Sequence, residues 1–302
     1  MRDPRPYQIA ALALLLTHGL ARLGFDVSPL RVVLILGAAL VSQLALSRAG
    51  GLPRLDPRSA LISGLSLCLL LRTDSTLVAA AGAVATIASK FLIRWRGKHV
   101  FNPTNFGLVA MMALGAPAWV SPGQWGHSAF FAFLIACLGG MVVSRAWRSD
   151  VTAAFLLSYG GLLVGRALWL GDPLSIPLHQ LQSGALLLFA FFMISDPKTT
   201  PDSRAGRIAF AFLVALGAAY VQFRLFRPNG ILWSLALCSA VVPLLDRLFP
   251  ARPYLWPSSS PGRRPEEGAL HGAQVDLRGG LVGAGHGGEG RLRLLRLLRG
   301  QG

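Results

Sequence analysis

The sequence predicts an all-α integral membrane protein with about ten transmembrane helices, arranged as two inverted five-helix repeats. Three observations lead there. Apolar residues make up 53% of the chain and charged residues 14%, with a mean hydropathy of +0.53, well outside the usual range of soluble globular chains. Membrane-grade apolar segments recur along residues 1–250, separated by polar breaks. Pairs of phrases in the two halves echo each other at a nearly constant offset. Backbone in hydrocarbon must satisfy its own hydrogen bonds, and segments this long and rich in Ala and Leu do so as helices rather than strands.

The first apolar segment, 7–23, follows Arg2 and Arg5 in the manner of a cleavable signal peptide. Its length and its nine apolar successors favour a retained helix. Segments 30–46, 60–71, 75–93 and 105–120 complete the first half, and 128–143, 151–170, 181–194, 207–221 and 231–248 make the second. The third and eighth are short. About a dozen apolar residues rise about 18 Å, against about 30 Å of hydrocarbon, so both are expected to be incomplete or broken helices with polar ends held inside protein.

The eighth segment stops at Asp196-Pro197, because proline disfavours the α conformation in the residue before it. Thr199 and Thr200 beyond this stop, and Asn102 and Asn105 beyond the fourth segment, are candidates to offer hydroxyls and amides to a polar group in a shielded cavity. The competing reading makes DPKTTPDSR a plain cytoplasmic turn, with Lys198, Arg204 and Arg207 as interfacial charges.

Laying the loops out alternately sorts the basic residues. One side collects Arg2, Arg5, Arg48, Arg54, Arg58, Arg94, Arg96, Lys98, Arg145, Arg148, Lys198, Arg204, Arg207, Arg247 and Arg252; the other has chiefly Arg31, Arg72, Arg224 and Arg227. The positive-inside rule therefore puts both termini in the cytoplasm, as an even helix number requires. It also accounts for most of the +16 net charge and argues against nucleic acid as a partner.

The repeat rests on particular phrases. SGLSLCLLLRTDST from Ser63 matches the order of SGALLLFAFFMISDPKTT from Ser183, 120 residues on, and FNPTNFGLVAMM from Phe101 is echoed by FRPNGILWSLAL from Phe226, 125 residues on. Asp74 and Asp196 lie 122 apart. The chain thus divides into 1–122, 123–252 and a tail, 253–302. Five crossings per half invert the second copy, and in such folds the functional site lies near the midplane, among short or interrupted segments at the repeat interface.

At these residues the chain resembles a known family. KFLIRWRGKHVFNPTNFG (90–107), SGALLLFAFFMISDPKTTP (183–201) and RPNGILWSLALCSAVVPLLD (227–246) are similar to the RnfD/NqrB family, membrane subunits of Rnf-type and sodium-translocating NADH:quinone oxidoreductase complexes. The likeness runs through residues 1–250. It implies ten helices as two inverted five-helix repeats, a bacterial inner-membrane location, other electron-transport subunits as partners, and a flavin. The family's FNPA and ATDP phrases correspond to Phe101-Asn102-Pro103 and Ile194-Ser195-Asp196-Pro197. Family members attach FMN to the threonine of an SGAT phrase, and no SGAT occurs in this shorter chain: Ser183-Gly184-Ala185 is followed by Leu186 and aligns with the apolar run before ATDP. The resemblance therefore implies FMN or riboflavin held non-covalently, with Asn102, Pro103, Asn105, Asp196, Thr199, Thr200 and Asn229 as the candidate cofactor-binding residues.

Other polar residues read as local. Lys90, Arg94 and Arg96 follow the fourth segment at spacings that let their stems snorkel to the cytoplasmic surface, and Arg166 is placed to do the same in the seventh. Asp246 sits beside Arg247 as a surface pair, and His18 with Arg22, one turn apart, makes a candidate phosphate or lipid-headgroup contact. Cys68, Cys137 and Cys238 stand singly in apolar runs, without metal-ligand spacing, and read as small packing residues. No Ser-His-Asp order, HExxH, P-loop or GxGxxG phrase occurs, so no independent catalytic centre is indicated. Beyond Pro257 the chain turns to Gly, Arg, Ser and Pro, a composition expected to be disordered, and it ends in a basic amphipathic stretch. Two functional readings follow: a redox subunit holding flavin between the repeats, and a cofactor-free solute or ion transporter using the same cavity.

Overall fold

A computed structural model describes residues 3–50, 56–120 and 129–255. All of these belong to the first of two compact units, Met1–Ser259; the second, Ser260–Gly302, lies outside the described residues, and with it most of the expected disordered tail and its amphipathic end. The helices are α1 (Arg5–Arg22), α2 (Pro29–Ala49), α3 (Pro57–Leu70), α4 (Thr76–Leu92), α5 (Pro103–Ala113), α6 (Ala129–Arg145), α7 (Ser149–Leu170), α8 (Ser175–Leu181), α9 (Gly184–Leu188) running into a π-helical turn (Phe189–Met193), α10 (Arg204–Phe223), α11 (Gly230–Ser239) and α12 (Val242–Leu248).

Each expected apolar segment coincides with one helix or one bent pair. Helix starts follow local chemistry: Ser28, Asp56, Ser75, Asn102 and Ser203 cap the helices they precede, and Pro29, Pro57 and Pro103 occupy first turns, where a missing N–H goes unmissed. By length and apolarity, three described helices can cross a bilayer alone: α2, α7 and α10. Counting the bent pairs α8 with α9 and its π-helical turn (48°) and α11 with α12 (54°) as single spans gives five.

Three details correct the sequence reading. The fifth segment was expected to run to Val120, but α5 ends at Ala113, where Gly115 takes φ +67° and Pro117 follows. The tenth was expected to be continuous and breaks before Pro243, in the first turn of α12. Four two-residue strands appear in a chain expected to have none. β1 (Leu71–Arg72) pairs antiparallel with β4 (Trp119–Val120), and β2 (Arg94–Trp95) with β3 (Lys98–His99). The second pair is a hairpin whose two linking residues, Arg96 and Gly97, both have positive φ, the requirement of a tight two-residue turn matched to strand twist.

The two short segments form the centre. Every α3 residue from Ser63 to Leu70 is buried, and so is every residue from Gly184 to Ala190. A helix wrapped by other helices is shielded from lipid and need not span about 30 Å, which is why these segments are short and apolar all round. The other helices pack around them in matching order: α2 on α4, α4 on α5, α1 on α3 and α2 on α3 in the first half; α7 on α10, α10 on α11, α6 on α9 and α7 on the π-helical turn in the second. α1 on α6 and α5 on α11 join the halves.

The ion pairs join residues of the same loop set. Arg5 with Asp3 and Asp56, Arg58 with Asp3, Lys98 with Asp202 and Asp246, and Arg207 with Asp150 join termini and loops of one set. Arg31 with Asp74 and Arg166 with Asp172 belong to the other. Asp246 bonds Lys98 and the Asp202 amide rather than its neighbour Arg247, whose guanidinium lies over Trp95.

Close helix approach makes one glycine decisive. A Cβ on Gly107 would meet Thr86 Oγ1 at 1.9 Å and the Gly82 carbonyl at 2.9 Å, so α4 and α5 pack through the missing side chain. Gly107→Ala is expected to lower the thermal unfolding midpoint in detergent, corresponding to about 1–3 kcal/mol of overpacking. Gly37→Ala, where a Cβ meets nothing within 4 Å, should leave the midpoint at or above wild type.

Candidate functional site

Two cavities lie at opposite ends of the central segments, and the first is built around Asn102. This residue caps α5, its Oδ1 accepting from the Asn105 N–H at 3.1 Å. Its Nδ2 donates to the Met193 carbonyl at 3.2 Å and to Asp196 Oδ2 at 3.4 Å, so the FNP and SDP phrases touch across 94 residues of chain. The π-helical turn explains why carbonyls are available there. Its wider winding departs from the ordinary i→i−4 ladder, and side chains add hydrogen bonds to its carbonyls, the Met193 carbonyl also accepting from the Asp196 N–H at 3.3 Å. Thr152 Oγ1 donates to the Ala190 carbonyl at 2.8 Å, Ser195 Oγ to Phe191 at 2.5 Å, and Asn102 to Met193.

The space beside Asn102 measures about 80 Å³ and is lined by Lys90, His99, Pro103, Asp196, Lys198 and several serines. Lys90 is 4% exposed and donates to Gln43 Oε1 at 3.1 Å. This corrects the snorkelling reading, which fits only exposed Arg94 and Arg96. On the α4 surface, position 90 faces the other helices, where a buried glutamine receives it. Asp196 lies beyond the last helical residue of the eighth segment; burial drives its carboxyl pKa up, partly offset by the Lys198 N–H and nearby cations. Its repeat partner Asp74 has no such role, being exposed and facing Arg31.

Burial pushes the His99 imidazole down to about 4, with Arg94, Lys90 and Lys198 adding to the effect. Its Nδ1 is buried without a hydrogen-bond partner among the described residues.

The second cavity is larger, about 470 Å³, and opens toward the other set of loops. Tyr159, His179, Gln180, Gln182, Ser183, Gln222, Arg227 and Asn229 provide its polar lining, over an apolar floor that includes Leu70, Val120, Leu186 and Met193. Tyr159 donates to Gln222 Oε1 at 2.5 Å, tying α7 to α10. Asn229 holds the left-handed conformation, φ 60°, ahead of α11, which asparagine tolerates better than most residues.

The expected site residues therefore separate. Asn102, Pro103 and Asp196 share the small cavity, while Asn229 lines the large one. Asn105 lines neither: its Nδ2 donates to the Leu232 carbonyl at 3.1 Å, joining α5 to α11, while its Oδ1 has no partner among the described residues. Thr199 and Thr200 turn inward, both hydroxyls donating to the Asp196 carbonyl, at 3.4 and 3.0 Å. They lock the turn after the proline instead of facing a cavity. The sequence reading missed Lys90 as an inward group, and with it Gln43, His99, Tyr159 and Gln222. A lone glutamine in an apolar helix was the available signal at 43 and 222.

Comparison with known proteins bears on this geometry. The model of the NQR2, RnfD, RnfE family matches residues 117–254. The D-type subunit of the proton-translocating ferredoxin:NAD(+) oxidoreductase complex of Clostridium ljungdahlii is 24% identical, over 74% of this chain and 83% of that protein. The D-type subunit of the ion-translocating oxidoreductase complex of Klebsiella pneumoniae is 33% identical over 41% of this chain and 34% of its own length. The corresponding Alcanivorax borkumensis protein is 32% identical over 46% and 40%.

The His99 environment sets a pH dependence. The folded state keeps this imidazole neutral down to about pH 4, whereas the unfolded chain protonates it near the ordinary 6.5. Its neutral form thus favours folding fully above 6.5, and that contribution is lost as pH falls from 6.5 toward 4. Thermal midpoints measured across this window should fall less steeply for His99→Gln than for wild type.

Proposed function

We propose that the chain, whose residues 117–254 match the model of the NQR2, RnfD, RnfE family, is the membrane subunit of an ion-coupled electron-transport complex, holding a flavin non-covalently in the larger cavity. The observation that carries this reading is that cavity. Its volume, about 470 Å³, falls within the roughly 300–1,000 Å³ typical of cofactor pockets, whereas the 80 Å³ space at Asn102 is too small. Its lining suits a flat heterocycle edged with alternating donors and acceptors. Gln180, Gln182, Gln222 and Asn229 carry amides with both functions, the apolar floor accepts a ring face, and Arg227 is a cation for a phosphate.

When bound there, a flavin supplies the one- and two-electron chemistry. The protein's part is to bind and orient it and to keep water from the buried ring. Tyr159, in its bond to Gln222, holds one wall in place.

The matched packing of the halves supports an arrangement of two five-helix repeats, 1–122 and 123–252, with the second inverted. The ion pairs within each loop set support loops of one set lying together, and the excess of basic residues in one set favours the cytoplasmic side of a bacterial inner membrane for both termini. The relatives' membership in multi-subunit complexes supports other electron-transport subunits as partners. The missing SGAT phrase favours a second reading, a cofactor-free solute or ion transporter using the same cavity.

An absorbance and fluorescence spectrum of the detergent-purified protein, before and after acid precipitation, separates these. A flavin spectrum whose chromophore moves to the supernatant is expected, weakened several-fold in Gln222→Leu. Protein that stays colourless after expression with added riboflavin would favour the transporter, and flavin kept in the pellet would mean covalent attachment.

A further inference from the structure

Lys90 and Asp196 line the same small cavity, yet they make no ion pair, and neither has another ion-pair partner within 4.0 Å among the described residues. Lys90 Nζ bonds Gln43 Oε1, and Gln43 in turn donates to Ser47 Oγ at 3.3 Å. Asp196 accepts from the Lys198 N–H at 3.0 Å and from the Asn102 amide. Two opposite charges facing one enclosed space without contact are costly unless something polar bridges them. The space is lined by the hydroxyl-bearing Ser63, Ser66 and Ser195, and about 80 Å³ has room for several waters.

We propose that this cavity is a proton-loading site, in which Asp196 takes up a proton through cavity water and Lys90 sets how tightly it is held. The resting pair is ammonium and carboxylate. On loading, a proton from bulk solution is relayed by the cavity waters, which are left neutral, and forms one O–H bond at an Asp196 carboxylate oxygen; Lys90 keeps its proton, and the cavity gains one positive charge. A metal cation is disfavoured by the Lys90 ammonium, and an anion by the carboxylate.

The other charged groups around the pair come from several elements. They are Arg5 on α1, already paired with Asp3 and Asp56; Arg94 and His99 in the hairpin; Arg148 before α7; and Lys198, whose Nζ donates to the Tyr254 carbonyl. Arg5, Arg94, Arg148 and Lys198 are engaged in other contacts, and His99, in the same lining, stays neutral down to about pH 4, which leaves Lys90 as the charge removable without touching the turn that holds Asp196. The inference deepens the reading of an ion-coupled subunit and rests on it for purpose, but not for chemistry.

The test is infrared difference spectroscopy of the full chain in lipid, stepped in pH. A carboxylic-acid carbonyl band that titrates and is absent in Asp196→Asn is expected. In Lys90→Met its midpoint should rise by about one pH unit or more, a tenfold tighter hold on the proton, because the neighbouring ammonium favours the carboxylate. Lys90→Arg should stay close to wild type. The absence of any Asp196-dependent band, or a midpoint unmoved in Lys90→Met, would overturn the proposal.

Should Lys90→Met not fold, the double variant Lys90→Met/Asp196→Asn decides. Thermal stability recovered above the Lys90→Met level supports the coupled pair, and additive losses refute it. The band is read without flavin or redox partner, so a colourless protein would sink the flavin reading and leave this one standing.

Discussion

The Asn102 side chain is the contact on which the centre of the molecule depends. It closes the first turn of α5, satisfies a carbonyl of the π-helical turn and reaches the carboxyl after it. In a segment cut off from water, an unpaired backbone group costs several kcal/mol, so side chains that bond the carbonyls of the π-helical turn help to hold it. Thr152 from α7 and Ser195 from the turn's own end supply the rest. The eighth segment is thereby free to be short and irregular, and its end to carry buried polar chemistry.

The same constraint separates two kinds of polar residue. Charges at helix ends find partners across loops, as Lys98 does with Asp202 and Asp246, and as Arg207 does with both carboxylate oxygens of Asp150. Polar groups deeper in the bundle bond to neighbouring helices: Lys90 to Gln43, Tyr159 to Gln222, Ser234 to the Val214 carbonyl. The two cavities sit where these inner groups gather, one at each end of the central segments, and they differ in character. The small one is lined by charged groups and serines; the large one by amides, a tyrosine and a histidine over an apolar floor, with a single arginine.

Much of the fold was legible in the chain because lipid imposes a simple rule on sequence. A window of hydropathy finds each segment, and cap residues such as Ser75 and Ser203 mark where helices begin. The shortness of segments three and eight could be counted, and so could the stop at Asp196-Pro197. The break inside the tenth segment was harder to see, since Ala240-Val241 is as apolar as its surroundings and Pro243 is tolerated in a first turn. Thr199 and Thr200 misled because a hydroxyl in a polar phrase looks the same whether it faces a ligand or its own backbone.

By itself, the sequence determined the helical class, the number and place of the apolar segments, the echo between the halves, and the two phrases that meet at Asn102 and Asp196. These depend on local composition and period, which do not require knowing what lies across the bundle. Only the tertiary structure decided that Lys90 turns inward, that Asn105 and the threonines serve packing and a turn, and that the polar candidates divide between two cavities. Those outcomes follow from which helix face meets which neighbour, a relation between residues about 50 to 130 positions apart that no window along the chain contains.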